Sequence, residues 1–462
     1  MLSTVFSDPT LRSAFLTDLG TWMLDQRWYP SAGGPAPELR VAGWVRLADT
    51  PQRTTTFATF QAGDGRRFAV PLTWTYVTEL AFADADALIS TLDTPSGTAY
   101  IADATAIDDG RRALIGALTH PRAEGEGITL TASLTAELDL EDQLTRLTST
   151  RRLSGEQSNT SLIATSESGL EVIMKVFRVL SSGTNPDIEI QTALQKAGNS
   201  RIAPLLGSLH LHDAVGPSDA ALMNVFLPGV EDAWREALVA ATAGESFVDG
   251  AAELGAALAD VHADLARVMP TEPADVNTVA LTLQALRERL AGFVTSVPAL
   301  AEYEQALSAA YGDALRLAWP PFQRIHGDLH LGQVLDAPDG GWVLLDFEGE
   351  PLRPMAERER PDSPARDVAG ILRSIDYVSG YVQLNHDVDA SAWAAEARAA
   401  FLDTYVSRVL AAPGASIDEA DLRALVRVFE LDKAAYEAVY EASNRPEWLA
   451  IPLRALARLT AR

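Results

Sequence analysis

The chain has 462 residues, more than one hydrophobic core usually organises, and its 47% hydrophobic and 22% charged content is that of a folded protein rather than a disordered one. The 63 Asp and Glu against 37 Lys and Arg give a formal net charge of −26, a surface that repels nucleic-acid phosphates and anionic membranes. The absence of cysteine excludes disulfides and thiol chemistry, and Asp8, Arg12 and Asp18 interrupt the apolar positions of the N-terminal stretch, which reads as neither a signal peptide nor a membrane span, so a cytoplasmic location is expected.

In chain order, residues 1–90 form an α+β unit. An amphipathic helix is expected over 9–24, then alternating segments at 39–45, 55–61 and 67–73, the last two joined by the hairpin signal Ala62-Gly63-Asp64-Gly65. Residues 91–140 mix short helix and strand signals and are expected to lead into the next lobe. Residues 141–228 turn to strands at 144–153, 162–165, 172–177, 202–209 and 221–226 around a helix at 187–198, a five-stranded lobe with one helix. After Gly229 the sequence is helical and Ala-rich, with helices expected at 253–268, 279–293, 301–317, 393–410 and 418–442. The fold class is therefore α+β: a β-rich N-lobe (141–228), a helical C-lobe (229–462) with a cleft between them, and a separate N-terminal α+β domain (1–90).

The strongest chemical signal is Ile325-His326-Gly327-Asp328-Leu329-His330-Leu331-Gly332-Gln333, followed by Leu344-Leu345-Asp346-Phe347-Glu348. A lone His-Gly-Asp is most often a turn. An Asp followed five residues later by an amide, and then an Asp-Phe after an apolar strand, is the spacing of a kinase catalytic loop and its metal-binding strand. Phosphoryl transfer needs a carboxylate for the attacking hydroxyl and oxygen ligands for magnesium on ATP. Asp328 is thus the expected base, and Gln333 and Asp346 are the expected metal ligands. His326 is expected to pack under the loop and brace it.

Upstream, Ser154-Gly155-Glu156-Gln157-Ser158-Asn159-Thr160-Ser161 lies between two strands, where a kinase covers the nucleotide phosphates. Gly155, Ser158, Asn159 and Ser161 would supply donors, although one Gly makes neither a GxGxxG nor a Walker loop. Lys175 ends an apolar strand and needs a partner for its ammonium; Glu189 on the following helix is expected to hold it against the α- and β-phosphates.

Near the C-terminus, Tyr436, Glu437, Tyr440 and Glu441 repeat at i, i+4, so one helix face is aromatic and its neighbour acidic. Carboxylates, an amide, an Arg and an indole suit a sugar acceptor, which gives Glu441, Asn444, Arg445 and Trp448 as candidate substrate contacts. An acidic solvated face over an aromatic core stripe is the plainer alternative.

With these motifs in place the chain resembles the actinobacterial maltokinases, relatives of aminoglycoside phosphotransferases in the protein-kinase-like superfamily. The similarity rests on Arg27-Trp28-Tyr29, on the segments 155–161 and 326–333, on Asp346-Phe347-Glu348-Gly349-Glu350-Pro351, and on Ser363-Pro364-Ala365-Arg366-Asp367-Val368-Ala369-Gly370 and Asn444-Arg445-Pro446. The resemblance implies a cap domain at the N-terminus, ATP and Mg²⁺ as cofactors, maltose 1-phosphate as product for glycogen synthesis, and trehalose synthase as a partner. After Arg27-Trp28-Tyr29 the family continues with a Gly/Ala stretch and a Lys, where this chain has Pro30-Ser31-Ala32-Gly33-Gly34. Related enzymes phosphorylate glucosamine at its 6-hydroxyl, and an acidic C-lobe suits an ammonium sugar, so glucosamine is the alternative acceptor. An antibiotic phosphotransferase and a catalytically dead binding module are less favoured, the latter because Lys175, Asp328 and Asp346 are all present.

Overall fold

The computed structural model describes residues 2–30, 34–78, 85–135, 140–153, 159–337, 341–350 and 353–461. The chain divides into two units, Met1–Ile188 with Pro204–Pro228, and Glu189–Ala203 with Gly229–Arg462.

The first unit opens with α1 (Leu2–Ser7) and α2 (Pro9–Leu24). Asp8 starts α2 by accepting from the N–H groups of Thr10 and Leu11 at 2.8 and 3.1 Å, and Pro9 takes a position where a missing N–H costs nothing. Six strands follow: β1 (Leu39–Asp49), β2 (Thr54–Ala62), β3 (Arg67–Ala69), β4 (Leu72–Thr75), β5 (Leu88–Thr94) and β6 (Gly97–Asp103). The single strand expected over 67–73 is two, because Pro71 has no N–H for the ladder. Beyond them lie α3 (Asp108–Gly116), β7 (Arg122–Glu124), β8 (Ile128–Leu134), α4 (Leu140–Thr145), β9 (Leu147–Arg152), β10 (Asn159–Ser166), β11 (Glu171–Phe177), β12 (Val179–Leu180), β13 (Leu205–Asp213) and β14 (Gly216–Val225).

Among the described residues two seven-stranded sheets result. The first runs β12-β3-β2-β4-β6-β5 with β1 beside β2, and the second runs β7-β8-β13-β14-β11-β10-β9. The five strands expected in the lobe are thus joined by β7 and β8. The first sheet packs on α2 through an aromatic cluster in which Phe15 lies 6.0 Å from Phe60 and 5.7 Å from Trp74, ring to ring. Each ring buried this way stabilises by about 1.5–3 kcal/mol. Where β1 crosses the β7–β8 hairpin, Trp44 and Glu126 exchange backbone hydrogen bonds, and a Cβ on Gly125 would stand 2.0 Å from the Trp44 carbonyl oxygen. Only glycine fits there.

The second unit is helical: the C-terminal part of α5 (Pro186–Ala197), then α6 (Ala233–Ala243), α7 (Val248–Val268), α8 (Val276–Ser296), α9 (Glu304–Asp313), α10 (Met355–Arg358), α11 (Ala365–His386), α12 (Ser391–Ala411), α13 (Glu419–Asn444) and α14 (Ala450–Thr460), with one hairpin of β15 (Val334–Asp336) and β16 (Trp342–Leu344). The helix expected over 301–317 is the shorter α9 flanked by 3-10 turns. On α11 every residue from Asp367 to Asp376 is buried, so this stretch of the helix is enclosed on all sides rather than along one face. A Cβ on Gly370 of the same helix would stand 2.3 Å from the Leu329 carbonyl oxygen, so α11 lies directly against the 326–333 loop. Among the described residues, no helix is long and apolar enough to cross a membrane.

Candidate active site

The hairpin β15–β16 decides the geometry of the catalytic segment. Pairing of Val334 with Leu344 brings the residues flanking it together, and Gln333 Nε2 donates to Asp346 Oδ2 at 3.1 Å. Asp346 holds a left-handed backbone, φ 64°, a conformation that costs a non-glycine residue energy and is kept where the surroundings fix it. His326 is buried as expected. It accepts the Asp328 N–H at Nδ1 (3.4 Å), donates from Nε2 to the Leu345 carbonyl (2.7 Å), and rests on the Phe347 ring at 4.8 Å. One imidazole therefore joins the Asp328 segment to the Asp346 segment.

Sequence reasoning gave no role to Asp367, which anchors the loop from α11. Its carboxylate accepts from the His326 N–H at 2.8 Å and the Gly327 N–H at 2.9 Å, and from His262 Nε2 at 3.1 Å. His262 in turn accepts from the Tyr405 hydroxyl at 2.9 Å. Burial pushes the Asp367 carboxyl up, but the bonds from His262 and Gly327 outweigh it and hold it below the usual aspartate range.

Asp328 is half-buried, with Oδ1 3.6 Å from Lys433 Nζ of α13, and the Lys433 ammonium lies 5.5 Å from the centre of the Tyr436 ring. Beside Asp328 is a small cavity lined by Glu350, Arg366, Asp432, Lys433 and Tyr436. Burial raises the Glu350 carboxyl, yet Lys433, Arg353 and the Tyr436 hydroxyl more than reverse this and keep it low. Lys433 carried no motif, and only its single-turn spacing from Glu437 could have drawn attention to it.

In the first unit, Lys175 on β11 stands opposite Ser161 on β10, and Asn159 and Ser161 are buried in that strand. The partner of Lys175 is Asp187, at 3.2 Å, not Glu189. Residues two apart on a helix point to opposite sides, so the face that offers Asp187 turns Glu189 away. Glu189 instead accepts from Arg324 at 2.7 Å, and the buried Arg324 also donates to the Glu359 carbonyl at 2.9 Å. Glu189 is therefore a brace for the segment leading to His326. Gly155 and Ser158 lie outside the described residues.

At the end of α13, Glu441 is 1% exposed and holds three donors: Arg445 Nε at 2.9 Å, Arg445 Nη2 at 2.7 Å and the Tyr377 hydroxyl at 2.9 Å. The Arg445 guanidinium lies 4.3 Å from the centre of the Trp448 ring, and Trp448 packs on Tyr377 and Tyr381 of α11. Tyr381 meets Trp234 of α6. Asn444 stands apart: exposed, with Nδ2 donating to the Tyr440 carbonyl one turn back at 2.8 Å. One turn before Glu441, Glu437 is fixed by the buried Arg373 at 2.8 Å, and burial raises its carboxyl despite that cation. The structure thus brings Glu441, Arg445 and Trp448 together and adds Tyr377, Tyr381 and Arg373, which the sequence did not single out.

Comparison with known proteins finds similarity along most of the chain. Residues 22–108 match the maltokinase N-terminal cap domain and residues 149–412 match the phosphotransferase enzyme family. A glucosamine kinase of Streptacidiphilus jiangxiensis is 31% identical over 326 residues, 66% of this chain and 72% of that protein. One from Mycolicibacterium smegmatis is 30% identical over 327 residues, covering 67% and 79% respectively. A glucosamine kinase solved in complex with glucosamine, ADP and inorganic phosphate shares the fold, with a TM-score of 0.68 at 24% identity over 96% of this chain and 98% of that one.

Proposed function

The chain belongs to the phosphotransferase enzyme family, and on that premise we propose that it is an ATP-dependent sugar kinase whose acceptor is an amino sugar of the glucosamine type. The observation that carries the reading is the Asp328, Gln333 and Asp346 constellation, held by His326 and Asp367. Asp328 takes the proton of the acceptor hydroxyl, whose oxygen forms the new bond to the γ-phosphorus as the bond to the ADP oxygen breaks. Asp328 would then pass that proton to solvent. Lys433 at 3.6 Å keeps the carboxylate aimed.

Gln333 and Asp346 present hard oxygen donors, which suit magnesium. When bound, the ion neutralises charge on the triphosphate. Lys175, oriented by Asp187, is the first unit's cation for the phosphates, and Asn159 and Ser161, with Gly155 and Ser158, supply neutral donors. Glu441, Arg445 and Trp448, with Asn444 at the rim, receive the sugar: the buried carboxylate exchanges the Tyr377 hydroxyl or Arg445 for an ammonium or hydroxyls of the acceptor, and the indole covers the apolar ring face.

Maltose is a second reading, favoured by the match of residues 22–108 to the maltokinase cap. It would bring with it maltose 1-phosphate, glycogen synthesis and a trehalose synthase partner. Incubating the purified protein with ATP, Mg²⁺ and maltose, glucosamine, glucose or kanamycin, followed by phosphorus NMR of the product, decides acceptor and position together. Glucosamine 6-phosphate is expected. Turnover confined to maltose reverses the assignment, and turnover of none removes the kinase reading.

A further inference from the structure

Just after the strand that carries Lys175 the chain changes sheets. At Arg178 the chain crosses into the cap, where the Arg178 carbonyl accepts from the Ala69 N–H at 2.9 Å and Val179 and Leu180 pair with Phe68 and Arg67. At the crossing the Arg178 side chain is 0% exposed. Its Nη2 donates to Asp103 Oδ2 at 2.8 Å and to Thr105 Oγ1 at 2.7 Å, both in the cap, while its Nε donates to Thr160 Oγ1 of β10 at 2.9 Å. The guanidinium also lies 5.4 Å from the centre of the Trp28 ring. A second buried pair repeats the device: Arg67 of β3 bonds Asp213 of β13 at 2.9 Å and Ser218 of β14 at 2.6 Å.

A guanidinium this buried is stable only beside a carboxylate, and Asp103, itself 1% exposed, is the one that meets it. Register then links that pair to the nucleotide residues. Thr160, bonded to Arg178, stands opposite Val176, and its neighbour Ser161 stands opposite Lys175. Whatever fixes Arg178 therefore fixes the lateral place of β10 and β11, and with it the place of Lys175.

We infer that the cap is a positioning device for the nucleotide: Asp103, acting through Arg178, sets where Lys175 and Ser161 meet the phosphates. Neither Asp103 nor Arg178 touches a reacting atom, so both are positioning residues. The inference rests on the ATP reading above and assigns the cap a share in it. It also accounts for a buried charge pair at a junction that apolar side chains could have filled, since a paired guanidinium specifies one register where hydrophobic contacts tolerate several.

The test uses the full chain with Asp103→Asn, Arg178→Met and the two combined, reading KM for ATP, KM for the sugar, kcat and melting temperature. Asp103→Asn is expected to raise KM for ATP about tenfold while KM for the sugar moves by less than about twofold. The double variant removes the uncompensated charge, so its melting temperature should recover toward wild type while KM for ATP stays high. A double variant that recovers both values overturns the inference and leaves the pair a prop for the fold. So does a folded Asp103→Asn with wild-type KM for ATP. If neither folds, Thr105→Val, which removes the hydroxyl's bonds to Arg178 and to Asp103 and keeps the ion pair, decides: an unchanged KM for ATP is fatal, and a smaller rise in the same direction is expected. A wild-type protein without ATP-dependent turnover sinks the kinase reading and this inference with it, whereas normal wild-type turnover with unmoved variants sinks this inference alone.

Discussion

In the proposed catalytic segment the groups lie close in sequence, between His326 and Asp346, and are fixed largely by bonds to backbone: His326 to the Leu345 carbonyl and Asp367 to two successive N–H groups, while Gln333 bonds the Asp346 side chain across a hairpin mouth. In the proposed acceptor corner the groups come from α13 and the turn after it, and lean on side chains of α11 by ring packing and a tyrosine hydrogen bond, with Trp234 of α6 behind Tyr381. Backbone bonds set atoms to within tenths of an ångström and tolerate little change, as proton and phosphoryl transfer require. Side-chain packing admits substitution with graded loss, as selectivity among sugars requires. Variants in the first region should therefore lower kcat, and variants in the second should raise KM for the sugar.

The sharpest test of that division is at Asp346. Asp346→Ala removes a charged oxygen donor and should abolish turnover, whereas Gln333→Ala removes a neutral one and should be milder across a magnesium titration. Asp328→Asn should lower kcat by roughly 10²-fold or more with nucleotide binding and melting temperature nearly intact, because general-base catalysis contributes about that much. Equal, small losses at Asp346 and Gln333, or near-normal turnover of Asp328→Asn, would place the chemistry elsewhere.

Legibility in the sequence follows the same division. The 326–333 and 344–348 motifs could be read because their residues are consecutive, and α2 could be placed because Asp8 and Pro9 mark its start. The pairing of Lys175 could not: the expected Glu189 and the actual Asp187 differ by two helix positions, and only the phase of α5 on its strand decides between them. The two extra strands of the second sheet were hidden in a segment of mixed signals, since β7 is three residues long and has no periodicity to show. Asp367 lies in a quoted motif, yet its function depends on α11 meeting the loop at Gly370, a contact between positions distant in the chain. Arg178 and Asp103 are further apart still, and nothing local in either segment announces that they pair.

Asp367 tests whether the backbone anchor matters as much as the groups it anchors. Asp367→Asn keeps one acceptor oxygen for two N–H groups, and losing a charged hydrogen bond costs about 1.5–3 kcal/mol, so kcat should fall by roughly 10- to 100-fold with KM for the sugar unmoved. The variant should also change the acid response. The folded Asp367 carboxyl titrates below the ordinary value of 3.8, so it contributes stability that is present above that value and is lost as pH falls through the lower, folded one. Wild type should lose this contribution in acid titrations followed by melting temperature, and Asp367→Asn should lack it. A variant with wild-type acid dependence would mean that the carboxylate is not held as described.

The smallest effect is expected in the acceptor corner. Glu441→Ala leaves the Tyr377 hydroxyl and the Arg445 guanidinium without their shared acceptor, and removes the carboxylate that holds Arg445 over the Trp448 ring. A buried hydrogen-bonding site that loses a partner loses roughly 1–3 kcal/mol, so the melting temperature should fall and KM for the sugar should rise about tenfold while KM for ATP stays put. An ammonium acceptor would lose a charge-assisted bond, and its KM should then lose its dependence on salt, whereas a neutral disaccharide would show no such dependence in either protein. Trp448→Ala should raise KM for every accepted sugar alike, because ring stacking reads the apolar face and not the substituent. The contrast between the two variants separates charge recognition from shape recognition. If both leave every sugar KM unchanged, Glu441, Arg445 and Trp448 form a structural clasp for the turn between α13 and α14. The acceptor would then belong beside Asp328, among Glu350, Asp432 and Tyr436, where carboxylates also line a cavity.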